Sequence, residues 1–197
     1  MKGVMTEVPP HLLAWRRRTG ADAFDEMWEG VLHMTPSPSR SHQDLVACML
    51  VWLREHWAVS TGGRVHLQLN VAERGAWPDN YRIPDLVLLT PERFAIDRDL
   101  YLDGGPDVVV EVRSPDDETY EKLAFYAQIG VREAWVVDRD TKRPDVYELR
   151  DGELRAVAAD GEGWLSSRAT GVQLRVSPEG KLRLRAGERP DSTSDLG

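Results

Sequence analysis

DVVVEVRSPDDETYEKLAFYAQIGVREAWVVD, residues 107–138, is the stretch that decides the fold class. DVVVEV is an almost continuous apolar run and reads as a strand buried on both faces. Residues 117–129 read as a helix that Gly130 stops. AWVVD, residues 134–138, is another buried strand. Upstream of Gly104-Gly105-Pro106, DLVLL (85–89) is a third apolar run, opened by Asp85. RVHLQLNV (64–71) alternates strictly, which predicts one half-buried strand with Val65, Leu67, Leu69 and Val71 on a common face.

Earlier still, Leu45, Met49, Trp52, Leu53 and His56 fall on one helical face. Ser41 and Asp44 mark that helix's start, and Gly62-Gly63 its end. Residues 22–34 predict a strand or hairpin with Glu29-Gly30 near the turn, and residues 11–18 a short helix. Downstream, Asp151-Gly152 between VYEL and LRAVA signals a hairpin. The sum is an α/β domain: a mixed sheet with packed helices and added antiparallel strands. It is expected to occupy residues 1–185. The polar tail 186–197 lacks periodicity and is expected to be disordered.

The chain has 197 residues, enough for one sizeable core. Seven Trp and five Tyr argue against broad disorder. The single cysteine, Cys48, excludes an internal disulfide and a cysteine-based zinc site. Its place in LVACML (45–50) predicts a buried small hydrophobe. No run approaches the roughly 20 apolar residues of a membrane span, and no signal-peptide run opens the chain, so a cytoplasmic protein without membrane contact is expected. The net charge is −8 and the pI about 5.2. The tail contributes −2 of this, leaving −6. A nucleic-acid surface must therefore be a local patch on an acidic body. Glycine-rich phosphate loops, G-x-S-x-G elbows and H-E-x-x-H pairs are absent from the sequence, which argues against a nucleotide- or sugar-binding enzyme.

Two acids interrupt the apolar strands: Asp85 after Pro84, and Glu111 within VVVEV. Strand alternation puts Val109, Glu111 and Arg113 on one face and Val108, Val110 and Val112 on the other. A carboxylate buried at 111 must be paired, protonated, metal-bound or open to a cleft. Two carboxylates on neighbouring strands suit a hard divalent cation. The residues alone leave a plainer reading open, with Asp85 as a turn residue and Glu111 as half of an ion pair with Arg113.

These segments together resemble the Uma-type restriction endonucleases of the PD-(D/E)xK nuclease superfamily. The similarity is carried by Pro84-Asp85, VVVEVRSP (108–115), EKLAFYAQIGVREAWVVD (121–138) and WEGVLHMTPSPSRSHQ (28–43), and covers roughly residues 10–180. It implies a restriction-endonuclease-like mixed central sheet flanked by helices, a DNA substrate and a Mg²⁺ or Mn²⁺ cofactor. Asp85 matches the first acid of the motif and Glu111 the second. Arg113 stands where the motif has lysine, as a phosphate contact or a structural partner. The lysine role falls to Lys122 on the next helix, with Tyr126 one turn on. Spacing alone also allows Lys122 to pair with Glu118. Glu29 sits where relatives place an accessory acid, with a simple turn residue before Gly30 as the other reading, and His42 is a phosphate contact, a water-orienting group or a structural histidine. Such nucleases commonly form homodimers. The competing reading is a non-catalytic module that keeps the fold and binds nucleic acid or protein, favoured by the acidic pI and by Arg113.

Overall fold

The computed structural model describes residues 3–197 except 36, 116 and 188. The chain opens with β1 (Gly3–Met5), α1 (Pro10–Thr19) and the hairpin β2 (Glu26–Trp28) and β3 (Val31–Met34). Glu29 and Gly30 have φ of 51° and 85°. Positive φ at both central residues gives the tight turn whose twist matches paired strands. α2 (Arg40–Leu53) follows, continues through a π-turn at Arg54–Ala58, and ends in α3 (Val59–Thr61). Then come β4 (Arg64–Leu67), β5 (Asn70–Ala72), β6 (Tyr81–Arg82), β7 (Leu86–Leu89), β8 (Tyr101–Asp103) and β9 (Val108–Arg113). α4 (Lys122–Gln128) leads to β10 (Glu133–Asp138), and six short strands complete the chain: β11 (Pro144–Arg150), β12 (Glu153–Ala156), β13 (Leu165–Ser166), β14 (Val172–Val176), β15 (Leu182–Ala186) and β16 (Ser194–Leu196).

The central sheet runs β12-β11-β10-β9-β7-β4. β9 and β10 are parallel, joined through α4, and every other pair in it is antiparallel. One face carries Leu86, Leu88, Val108, Val110 and Val112, packed on Leu45, Met49 and Trp52 of α2 and on Leu174, Leu182 and Leu184 of the β13–β16 sheet. The other carries Val87, Leu89, Val109 and Ala134, packed on Phe125 and Tyr126 of α4 and on Val71 and Leu102 of the β1-β3-β2-β6-β5-β8 sheet. The expected mixed α/β architecture is present, with one refinement: sheets as well as helices cover the two faces. Burial of these apolar runs is the main stabilising term, at roughly 25 cal/mol per Å² removed from water.

Several local expectations are corrected. The 64–71 segment is two strands, not one. Gln68 has φ 50° and donates its N–H to the Asp85 carbonyl at 3.0 Å. The chain leaves the central sheet there, so Leu67 is exposed while Val65 and Val71 are buried in opposite layers. Cys48 is exposed. The inward stripe of α2 is Leu45, Met49 and Trp52, and position 48 falls on the opposite side. Ser39, not Ser41, caps α2: its Oγ accepts the His42 N–H. α4 begins at Lys122 rather than 117, because Asp117 accepts the N–H groups of Ser114 and Thr119 at 2.6 and 3.1 Å and holds that segment as a turn. The tail expected to be disordered carries β16, which pairs with β15. Ser192 ties it down, its carbonyl accepting Trp52 Nε1–H at 2.9 Å and its Oγ accepting the Ala186 N–H at 2.9 Å. Backbone pairing to a sheet edge leaves little mark on composition.

Candidate active site

β7 and β9 pair with Leu86 opposite Val110. One step further along this antiparallel ladder sets Asp85 opposite Glu111, with both side chains on one face. Asp85 Oδ2 accepts the Val112 N–H at 2.7 Å, and Oδ1 accepts from His42 Nε2 at 2.9 Å. α2 thus delivers His42 to the first acid from its first turn.

α4 delivers the groups that meet Glu111. Lys122, its first residue, puts its ammonium 3.2 Å from Glu111 Oε1 and 2.8 Å from Glu26 Oε1. Tyr126 lies one turn on, and its hydroxyl donates to Glu111 Oε1 at 2.6 Å. Glu26, on β2, is buried and also accepts the Ile83 N–H at 2.8 Å and Trp28 Nε1–H at 2.7 Å. Asp85, Glu111, Glu26, Lys122 and His42 line a cleft of about 630 Å³.

The electrostatics follow from crowding acids in a dry place. Burial, with Asp85 and Glu26 nearby, pushes the Glu111 carboxyl up to about 8, against the opposing pull of Lys122 and the Tyr126 hydrogen bond. Burial alone would lower Lys122, but the charges of Glu111 and Glu26 outweigh it and raise the ammonium above its ordinary value. Tyr126 is raised well above its ordinary value by burial and by Glu111. His42 is opposed by burial yet raised by the hydrogen bond and charge of Asp85 and by the charge of Glu111. Three carboxylates thus face one ammonium and a histidine.

A family model described as "Uma2: Putative restriction endonuclease" matches residues 10–177. The chain belongs to the Uma2 family. A crystal structure of "a putative nuclease belonging to DUF820 from Anabaena variabilis" is similar, with TM-score 0.59, 17% identity, and 75% of this chain and 83% of that chain covered. That likeness concerns the fold. No curated protein matches. Among the described residues, no helix is long and apolar enough to cross a membrane.

In this Uma2 chain the expected residues divide clearly. Asp85, Glu111, Lys122, Tyr126 and His42 come together. Arg113 does not line the cleft; its Nη1 lies 3.2 Å from Asp138 Oδ2 on the neighbouring strand, and its guanidinium 5.3 Å from the Tyr120 ring. Of the two readings of Glu29 the accessory acid is corrected: it is an exposed turn residue outside the cleft lining. The acid that reaches the site is Glu26, which sequence reasoning passed over. The available signal was strand alternation, since Glu26 lies two residues before Trp28 on the same face.

Among the described residues, no group of three His, Cys, Asp or Glu is arranged to hold a metal ion. Asp85 and Glu111 are the carboxylates that would hold a small hard cation. Mg²⁺ commonly takes one or two carboxylates and fills its remaining positions with water and phosphate oxygens. Among the described residues no donor reaches Glu111 Oε2. The raised Glu111 carboxyl registers the surplus negative charge that a divalent ion would offset.

Proposed function

We propose that this chain is a divalent-cation-dependent endonuclease that hydrolyses DNA phosphodiester bonds in the Asp85–Glu111 cleft. The observation that carries the reading is Lys122: a largely shielded ammonium that lines the cleft, held between Glu111 and Glu26. The family description supports nuclease chemistry. Asp85 and Glu111 would hold Mg²⁺ or Mn²⁺. Such an ion lowers the pKa of bound water and offsets charge on a phosphate.

The chain's own residues supply the rest. Hydrolysis joins a water oxygen to phosphorus and breaks one phosphorus–ester oxygen bond. Negative charge builds on the non-bridging oxygens as water adds. Lys122 stabilises that charge, because a compact ammonium with three donors can turn to an oxygen that Arg's planar fork could not follow. Glu26 fixes the lysine, and Tyr126 fixes Glu111. His42 orients Asp85. Arg113 has a structural partner in Asp138, so its presence at the motif's lysine position does not deprive the acids of a cation. This removes one argument for a non-catalytic module. A homodimer belongs to the same reading, and sedimentation velocity at micromolar protein tests it.

The deciding experiment incubates pure protein with supercoiled plasmid and Mg²⁺ or Mn²⁺, beside Asp85→Asn and Lys122→Met. Wild type should nick the plasmid and both variants should fail. Met keeps the length and apolar stem of Lys122 without its charge. Equal nicking by all three would mean that the cleft is not the source of the activity.

A further inference from the structure

Other side chains also line the cleft. Phe24, Ile83 and Gln68 are among them, all half-buried. So are Ser39, Ser114 and Arg139, groups that suit a sugar-phosphate backbone. The acids lie deep in the cleft, Asp85 at 8% exposure and Glu111 at 5%. A scissile phosphate must descend to them. An unpaired strand can turn a base inward beside that phosphate, whereas a stacked duplex does so only at the cost of unpairing.

Phe24 offers an aromatic surface to such a base. Gln68 is the more telling residue. It holds a left-handed φ of 50°, uncommon outside glycine. That conformation is fixed where β4 ends and the chain leaves the central sheet, and its N–H is bonded to the carbonyl of Asp85 at 3.0 Å. The backbone at Gln68 is therefore tied to the first acid. Among the described residues no partner engages its amide, although the residue lines the cleft. An amide sets a donor beside an acceptor, the pattern that reads a base edge.

We propose that the cleft holds a subsite for one unstacked base, with Phe24 as the stacking surface and Gln68 as the reader of the base edge. The preferred substrate is then single-stranded or locally unpaired DNA. The inference rests on the nuclease reading above and adds the substrate form to it.

The test compares an end-labelled single strand, its duplex, and the same strand made abasic at the mapped cleavage position, each with Mn²⁺. Wild type should cut the single strand at least about 10-fold faster than the duplex, the cost of unpairing and unstacking a base. Phe24→Ala should lower the ratio of kcat/KM on the base-bearing strand to that on the abasic strand by roughly 5- to 150-fold, the worth of one base–aromatic stack. Phe24→Leu, which retains most of the volume without the ring, should do the same. Gln68→Ala should redistribute cutting among the four bases. Equal wild-type rates on strand and duplex, or variants whose ratio and base preference stay at wild type, would overturn the subsite while leaving the nuclease reading intact. No cutting of any strand, together with no Mn²⁺ binding by calorimetry, would overturn both.

Discussion

Glu133 and Glu111 are two buried glutamates on adjacent parallel strands of one sheet, exposed by 2% and 5%. Their surroundings could hardly differ more. Glu133 Oε1 accepts the N–H groups of Arg168 and Ala169 at 2.7 and 2.9 Å, and Oε2 accepts Trp135 Nε1–H at 3.0 Å. Neutral donors saturate it and tie a later loop to the central sheet. Glu111 faces two other carboxylates, and a tyrosine and a lysine share one of its oxygens. Burial of an acid therefore says little about chemistry. What discriminates is whether its neighbours leave it content as an anion.

The largest expected effect is on turnover. Glu111→Gln should reduce plasmid cleavage on the order of 10³-fold, the scale of losing one preorganised charge-stabilising group, and should abolish Mn²⁺ binding by calorimetry. Glu133→Gln should leave cleavage per folded molecule unchanged. Equal losses in the two variants would erase the distinction between these acids.

The next effect is on stability against pH, without divalent ions. Folded Glu111 keeps its proton up to about 8, against the usual 4.5. The folded state therefore binds the extra proton between those values, and stability falls as pH rises through that window. Glutamine cannot titrate, so Glu111→Gln should gain melting temperature over wild type progressively from the lower value to the upper. Parallel melting curves in EDTA would contradict this.

Glu133→Gln should show the opposite sign. An amide cannot accept at both ends, so a buried donor loses its acceptor at a cost of about 1–3 kcal/mol, readable by urea denaturation at neutral pH. The smallest effect belongs to Arg113→Ala. Its pair with Asp138 is about one-third exposed on both sides, and such pairs contribute about 0–1 kcal/mol. Cleavage should change by less than about fivefold, the rate equivalent of 1 kcal/mol or less. A dead Arg113→Ala with an active Lys122→Met would reverse the roles of the two cations.

This contrast also marks what the sequence could disclose. The strands at 86–89, 108–113 and 133–138 were legible because uninterrupted apolar runs have few other uses, and the acids stood out against them. Lys122 and Tyr126 could be linked by helical spacing once a helix was placed. Glu26 was missed because choosing among the acids of a hairpin requires its register, and Glu29-Gly30 drew attention to the turn itself. The break at Gln68 was hidden because strict alternation continues through a residue whose backbone reverses hand. Glu133 offered no signal, since its three donors come from its own strand and from a loop more than thirty residues away.

Asp85 has a consequence of its own, which concerns tautomers. A carboxylate only accepts hydrogen bonds, so it takes Nε2–H from His42 and N–H from Val112 at once. Asparagine at 85 would keep an oxygen for Val112 N–H and turn its NH₂ toward His42. Nε2 would then have to accept, moving the ring proton to Nδ1, the nitrogen that lies 3.5 Å from Ser114 Oγ. The mildest replacement at this position therefore changes two residues chemically. Neutral His42 in Asp85→Asn should carry its proton on the opposite nitrogen from wild type, which ¹⁵N chemical shifts of the imidazole would report directly.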